Sequence, residues 1–480
     1  MPKQTVNPKR HAKQQPAKEQ QEQTKLLKHF IPSSERREQG KLLRNAVPRE
    51  DQAIWKASPK RKDPIEVLEE SNKGRIAELI PIRYGRMMKS PFTFFRGSAA
   101  IMAMDLASAP VSGIQTQLCG DSHLLNFGAY ATPERNVIVD INDFDETLPG
   151  PWEWDLKRLA TSFVLACRAN DFDAEVCREA ARISARAYRK AMRDFSEMTA
   201  LEVWYSRMDL DTYIADMKEK EFKQLASATI KKVQRKSARE YYFPKLTTEK
   251  DGRFLFKDNP PLIYHTEEQK ERLFLEIATK GLEDYKETLN EARHILLNRY
   301  TLMDIALKIV GIGSVGTYCA VLLLMADDHD PLILQVKEAR NSVLEPYVGK
   351  CKYAQQGQRV VEGQRLMQSH GDIFLGWASG PRGRNFYFRQ LKDMKMSPVP
   401  ELWTPKRALE VANSLGWVLA RAHARAGDSA KISGYLGSKD VFDNAIADFA
   451  EAYADQTELD FKALRNAIRE GRVEATATDR

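Results

Sequence analysis

Two polar strings carry most of the chemistry on offer in this sequence. The first, GDSHLLNFG (residues 120–128), sets Asp121 and Asn126 five positions apart in what reads as a loop. The second, VDINDFDE (residues 139–146), ends a β-branched run in a burst of carboxylates that includes Asp143 and Asp145. A general base, an amide oxygen and a second carboxylate brought together are what Mg-dependent phosphoryl transfer requires. The base accepts the proton of an attacking hydroxyl, while amide and carboxylate oxygens hold a hard cation against the phosphates. In that reading Asp121 is the catalytic base, Asn126 and Asp143 ligate Mg²⁺ (or Mn²⁺), and Asp145 is a second acidic ligand. The plainer reading makes Asp121 and Asn126 turn caps and Asp143 the end of a strand.

Much further along, GIGSVG (residues 311–316) supplies Gly311, Gly313 and Gly316. A dinucleotide fold needs a helix directly after such glycines, whereas Thr317 to Met325 is β-branched and apolar. The string therefore predicts a glycine loop inside a β-hairpin, lying over nucleotide phosphates. No G-K-[ST] follows, which excludes a Walker loop. Lys337 stands late in the strand-like LILQVKEA. A lysine there is costly to bury alone, so it either snorkels or meets phosphate and a carboxylate. Glu362 on the following helix is the expected partner, and Glu345 the alternative.

These residues need elements to position them. Asp63 to Ala107 has helical spacing, and FTFFRGSAAIMAMDLA reads as a packed helix. Short strand-like runs flank the Asp121 loop. PWEWDLKRLATSFVLACRA places Trp152, Leu156, Leu159 and Phe163 on one helical face, with Pro151 suited to the first turn. Residues 173–236 read as charged helix, 240–264 as turn and strand, and 266–297 as helix again. From about Met303 the pattern becomes strand, glycine turn, strand, turn, strand, then a helix at 357–369, two more strands and a long helix from Pro405 to Ala426. The fold class is thus α+β. A mostly helical unit (63–300) carries the Asp121 and Asp143 loops, a small five-stranded antiparallel sheet (301–396) carries the glycine loop and Lys337, and C-terminal helices (397–480) pack on the first unit.

The chain has 480 residues, 42% hydrophobic and 29% charged, which is the composition of a globular protein. Its longest clean apolar run, Cys319 to Met325, is far short of the roughly 18 residues a membrane helix needs, so no membrane partner is expected. The basic N-terminus is followed by no apolar stretch, so no secretory signal is expected. Five cysteines without a C-x-x-C pair argue against a disulfide framework or structural zinc. A cytoplasmic protein with reduced thiols is the expectation. The net charge of +8 is unevenly placed: residues 1–62 hold 16 Lys/Arg against 6 Asp/Glu, and the rest 58 against 60. The first 62 residues therefore read as a basic, disordered tail. Contact of this tail with nucleic acid is the less favoured reading beside plain solvation.

Taken together, the glycine loop, strand lysine, helix glutamate and two acidic loops resemble the protein-kinase-like superfamily, in the style of aminoglycoside phosphotransferases. PWEWDLKRLA is similar to the helix that in those enzymes carries an aspartate bracing the catalytic loop, here Asp155. More closely, SPFTFFRGSAAIMAMDLA, QLCGDSHLLNFG, NDFDETLPGPWEWDLKRLA and QVKEARNSVLEPY resemble the bacterial family called domain of unknown function 2252, over roughly Ile65 to Asp428. The resemblance implies a two-lobe kinase-like fold, with ATP held between the lobes and Mg²⁺ beside it. In a kinase the glycine loop and lysine precede the catalytic loop; here they follow it, so the order looks circularly permuted. Permutation of this kind is tolerated because packing depends on which elements touch.

Other residues weigh less. AHARAGD (residues 422–428) mimics a catalytic loop, but Ser433 stands where a metal-binding Asn is needed, and His423 is expected on a packed helix face. His123 lies inside the proposed catalytic loop and is expected to brace it or touch substrate. Arg96 follows Phe94-Phe95 and, if buried, must find an anion or carbonyls. The leading function is an ATP- and Mg-dependent phosphotransferase acting on a hydroxyl of unidentified acceptor class. The alternatives are a nucleotide-binding sensor or scaffold, and a two-metal phosphoesterase built on Asp121-x-His123.

Overall fold

The computed structural model describes residues 30–215, 223, 242–265, 279–309, 311–391 and 395–476. The helical expectations for 216–222, 224–236 and 266–278, and the turn-and-strand expectation for 240 and 241, lie outside these. Helices α1 (Ser33–Leu42), α2 (Pro64–Asn72), α3 (Ile80–Met87), α4 (Pro91–Gly97) and α5 (Ala99–Leu106) come first. Their starts follow local chemistry: the Asp63 carboxylate caps α2 ahead of Pro64, and Ser90 forms a capping box with Thr93 around Pro91. Four short strands follow, β1 (Gln115–Leu118), β2 (Phe127–Ala131), β3 (Val137–Ile141) and β4 (Leu148–Pro151), then α6 (Trp152–Arg168) and α7 (Ala174–Glu197). β1 pairs with β4, and β2 with β3, so both acidic loops emerge from strand ends beside the start of α6.

α6 departs from the amphipathic expectation. It is buried from Trp152 through Cys167, including Glu153, Asp155, Lys157 and Arg158, because its polar side faces internal loops and not water. Around it pack α7 and two later helices.

The second region is a six-stranded antiparallel sheet. In chain order its strands are β8 (Ile263–Tyr264), β9 (Thr301–Lys308), β10 (Cys319–Met325), β11 (Pro331–Ala339), β12 (Gly376–Ser379) and β13 (Asn385–Gln390), with β5 (Met208–Asp209) joining β3 elsewhere and β6 (Thr247–Lys250) pairing with β7 (Arg253–Phe256). The spatial order is β12-β13-β11-β10-β9-β8. The five expected strands are present, and the two-residue β8, too short to show a pattern, adds a sixth. Leu322, Leu324 and Leu334 pack with Phe388 on one face, while Val321, Leu323 and Ile333 pack with Phe256 and Leu391 on the other. Burial on both faces explains why these strands read as continuous apolar runs. Helix α8 (Gln356–Met367) lies between β11 and β12 in sequence, and beyond β13 Met396 bridges to Ala129 of β2.

Beyond β13 come the helices α9 (Pro405–Ala426), α10 (Ser429–Leu436) and α11 (Val441–Arg469). They expose the main error of the sequence reading. Residues 30–62, expected to belong to a disordered tail, are folded: α1 crosses α10 so closely that a Cβ on Gly40 would run into the Lys431 carbonyl, and one on Gly434 into that of Arg37. Arg44 donates to the carbonyls of Gly434 and Tyr435, and Arg49 to that of Leu436, so both close the carboxyl end of α10. Arg61 is bidentate to Asp105 and to Asp460, with contacts of 2.6–2.8 Å. The charge that read as solvated is spent on helix ends and buried carboxylates. Residues 1–29 lie outside the described part. No helix among the described residues is long and apolar enough to cross a membrane.

Candidate functional site

The Asp121 loop is held from beneath by the first turn of α6. The N–H groups of Cys119 and Gly120 donate to the Asp155 carboxylate at 2.8 and 3.0 Å, and the Ser122 hydroxyl donates to the Asp155 carbonyl at 2.5 Å. Gly120 turns with φ +82°, and a Cβ there would strike the Glu146 backbone. His423 is fully buried on α9, as expected; its Nε2 stands 3.2 Å from Asp155 and its Nδ1 2.8 Å from the Tyr188 hydroxyl. One turn beyond Asp155, Arg158 donates from Nε to Asp121 Oδ1 at 2.5 Å and stacks on Phe95. Burial pushes the Asp121 carboxyl above its usual value; Arg158 pulls against this and nearby Asp143 adds to it. The Asn126 amide nitrogen donates to the Asp121 carbonyl at 2.6 Å, which leaves Oδ1 as the atom available to a cation. His123 is buried, with Nε2 3.9 Å from Asp121 Oδ2, and burial with the charges of Arg96 and Arg158 holds its pKa far down. It stands as a neutral ring and not as a hydrogen-bonded brace.

Lys337 reaches this loop from β11. Its Nζ lies 2.5 Å from Asp145 and 3.8 Å from Asp143. Burial opposes the ammonium charge, but the two aspartates outweigh it and raise the pKa above the usual lysine value. Asp145 feels burial in the opposite sense, yet Lys337 and the hydroxyl of Tyr387, 2.6 Å away, hold its carboxyl at about 2. Ser314 of the glycine loop adds a third bond to it at 3.1 Å.

Lys337 and Ser314 meet one oxygen of Asp145 and Tyr387 the other, so a cation there would share them with these donors. One assignment is corrected: Glu362 does not meet Lys337, but pairs with Arg365 at 3.0 Å on α8, while Glu345 receives the Cys351 N–H. The inward contribution of α8 is Arg359, whose guanidinium binds the carbonyls of Asp145, Thr147 and Arg340. Sequence reasoning missed Arg158, Arg359 and Tyr387. Only Arg158 had a readable signal, three positions after Asp155 on the same helical face.

The glycine loop joins β9 to β10, as the hairpin expectation required. Gly311 and Gly316 have φ of +57° and +87°. The loop is fastened to the helical region: Arg86 donates to the Gly311 carbonyl, Arg75 to that of Val315, and the Ile76 N–H to that of Gly316.

Two cavities flank the junction. A larger one, of about 810 Å³, lies between the sheet and the β2–β3 turn and is lined by Lys337, Arg389, Tyr130, Gly311, Ser314 and Asp143. A smaller one, of about 290 Å³, is lined by Asp121, Asn126, Asp143, Gly313 and Arg96. Asp143 borders both. Gly316 borders neither and serves the turn.

Among the described residues no group of three or more His, Cys, Asp or Glu side chains is gathered to hold a metal ion. Mg²⁺ commonly takes one or two carboxylates and completes its shell with phosphate oxygens and water. Asp143, a third exposed, with the Asn126 amide oxygen fits that donor set.

Compared with known families, residues 75–467 match the one described as an uncharacterised protein conserved in bacteria, domain of unknown function 2252. The chain belongs to this family. The family span takes in the Asp121 loop, the larger cavity, all of the smaller one but Glu70 and Ser71, and His423, and it begins after the segment at 33–62 that packs on α10. No curated protein and no solved structure matches the chain.

Proposed function

We propose that this chain is a phosphotransferase of kinase-like, circularly permuted two-lobe architecture, which moves a phosphoryl group from MgATP to a hydroxyl. One observation carries the reading: Asp121, Asn126, Asp143, Lys337 and the glycine loop, scattered over residues 121–337, meet around two cavities that share Asp143. The larger cavity then receives the nucleotide and the smaller one the acceptor. Lys337 and Arg389 clamp phosphate oxygens. Asn126 and Asp143 would hold Mg²⁺, which when bound supplies positive charge against the phosphates. Asp121, raised in pKa by burial and oriented by Arg158, accepts the hydroxyl proton.

A non-catalytic sensor gains support from the 2.5 Å bond between Arg158 and Asp121, which occupies one oxygen of the base. The two-metal phosphoesterase reading has less behind it, since it gives no role to the glycine loop.

Thermal melts with ATP, with and without Mg²⁺, test nucleotide binding; saturation at 100 times Kd stabilises by about 2.7 kcal/mol. Asp121→Asn keeps size and hydrogen bonding but cannot take the proton, so turnover falls by roughly 10² to 10⁴ while nucleotide affinity holds. Binding without transfer to any acceptor or to water would replace the enzyme with the sensor.

A further inference from the structure

The smaller cavity has an electrostatic peculiarity that the transfer of a phosphoryl group does not itself require. Four arginines, Arg75, Arg83, Arg96 and Arg340, border it from different elements. Three are held by neutral groups. Arg75 donates to the Val315 carbonyl at 2.6 Å, Arg83 to Asn72 at 2.6 Å and the Gly97 carbonyl at 2.7 Å, and Arg340 to the Ser71 carbonyl at 3.1 Å. Among the described residues none of the four forms an ion pair, and Arg96 forms no hydrogen bond; its Nε is buried without a partner.

The carboxylates on the same wall form their ion pairs elsewhere: Glu70 with Lys62 and Lys73, Asp121 with Arg158, Asp143 and Asp145 with Lys337, and Glu338 with Arg384. Glu146 accepts the Val343 N–H, and burial raises its pKa while Arg359 pulls against this. Burial pushes Arg75 far below its usual value, the charges of Arg83 and Arg340 add to this, and Glu146 and Glu338 pull against it from a distance. Burial likewise lowers Arg96 against the pull of Asp121 and Glu401, neither of which bonds to it. A buried cation without a bonded counter-charge is costly. Arg75 and Arg340 cap the carboxyl end of α2 through the Ser71 and Lys73 carbonyls, and Arg83 ties the Asn72 side chain to the Gly97 carbonyl, which accounts for those three; Arg96 caps nothing.

We propose that the acceptor is a small hydroxyl-bearing anion, a phosphate monoester or a carboxylate, whose charged group is bound by Arg96 with Arg340 and Arg75 beside it. This deepens the phosphotransferase reading and rests on it for the role of the hydroxyl. A cavity of about 290 Å³ is at the lower end of the range for small-molecule sites, roughly 300–1,000 Å³. It favours a compact metabolite-sized acceptor over a protein segment. With the anion anchored at Arg96, the hydroxyl at the other end of the molecule faces Asp121, whose charge Arg96 already senses.

Calorimetric titration of the full chain with inorganic phosphate, and separately with acetate, tests this in the presence of saturating Mg²⁺ and a non-hydrolysable ATP analogue that fills the nucleotide cavity. At least one anion should bind the wild type, and Arg96→Gln should weaken it roughly 10- to 100-fold while the analogue binds as before. Phosphate preference assigns a phosphate monoester, and acetate preference a carboxylate. The inference is overturned if neither anion binds, or if Arg96→Gln binds them like the wild type. If the analogue itself fails to bind, the titration is run without it. Arg96-dependent anion binding would then keep the anion pocket and remove the phosphotransferase.

Discussion

In the segment packed on α10, Arg61 lies between Asp105 and Asp460, while Arg44 and Arg49 close a helix end. Around the smaller cavity, Arg75, Arg83 and Arg340 are held only by neutral groups, and Arg96 is held by nothing among the described residues. Arg44 and Arg49 finish the fold on carbonyls, as Arg75, Arg83 and Arg340 do, and Arg61 finishes it on carboxylates, whereas Arg96 leaves its charge without a bonded partner. What separates a structural arginine from a binding one here is the account of its partners.

Substitution should bring out the contrast, and the largest effect belongs to the packed segment. Arg61→Met leaves two buried carboxylates without their cation, and urea unfolding should show a loss of about 3–5 kcal/mol. A loss below about 1 kcal/mol would erase the distinction. An intermediate case lies at the sheet, where His265 stands 2.8 Å from Asp258 and 3.1 Å from Asp304. Hydrogen bonding to Asp304 and the charges of both aspartates, against some desolvation, raise its pKa from 6.5 to about 9. The imidazolium therefore stabilises the fold fully below pH 6.5, and this contribution is lost as pH rises through about 9. With solvent screening it amounts to on the order of 1 kcal/mol. Melting curves on either side of that window should converge for the wild type and His265→Asn at the alkaline end; a constant gap would refute the assignment. The smallest effect falls on Arg96. Because it has no bonded protein partner to lose and its buried charge is costly, Arg96→Gln should destabilise the fold by less than about 0.5 kcal/mol, if at all. A drop as large as that of Arg61→Met would mean that Arg96 holds the fold together after all.

The sheet was legible because continuous apolar strands broken by glycine and Asp-rich turns leave few other options, and α9 because Thr404-Pro405 starts it as a cap and first turn should. That the Asp121 and Asp143 loops lie together was legible because each follows a short strand in one continuous stretch, and both border the smaller cavity. The partner of Lys337 was not. Glu362 and Asp145 are both acidic, and spacing cannot tell that α8 turns Arg359 inward and Glu362 outward. Nor could composition show that basic residues at 44–61 meet carbonyls and carboxylates hundreds of positions away. Local sequence carries no information about such partners.

The close crossing of α1 over α10 has a consequence for synthesis. Arg44 and the Gly434 carbonyl it binds are 390 residues apart. At about 5–20 residues per second, a ribosome needs roughly 20–80 s to make the chain between them. Throughout that interval the earliest basic helix is complete while its dock does not yet exist. A segment made some 390 residues before its dock thus settles only after α10 has emerged, and its arrival closes the molecule around α10 and α11.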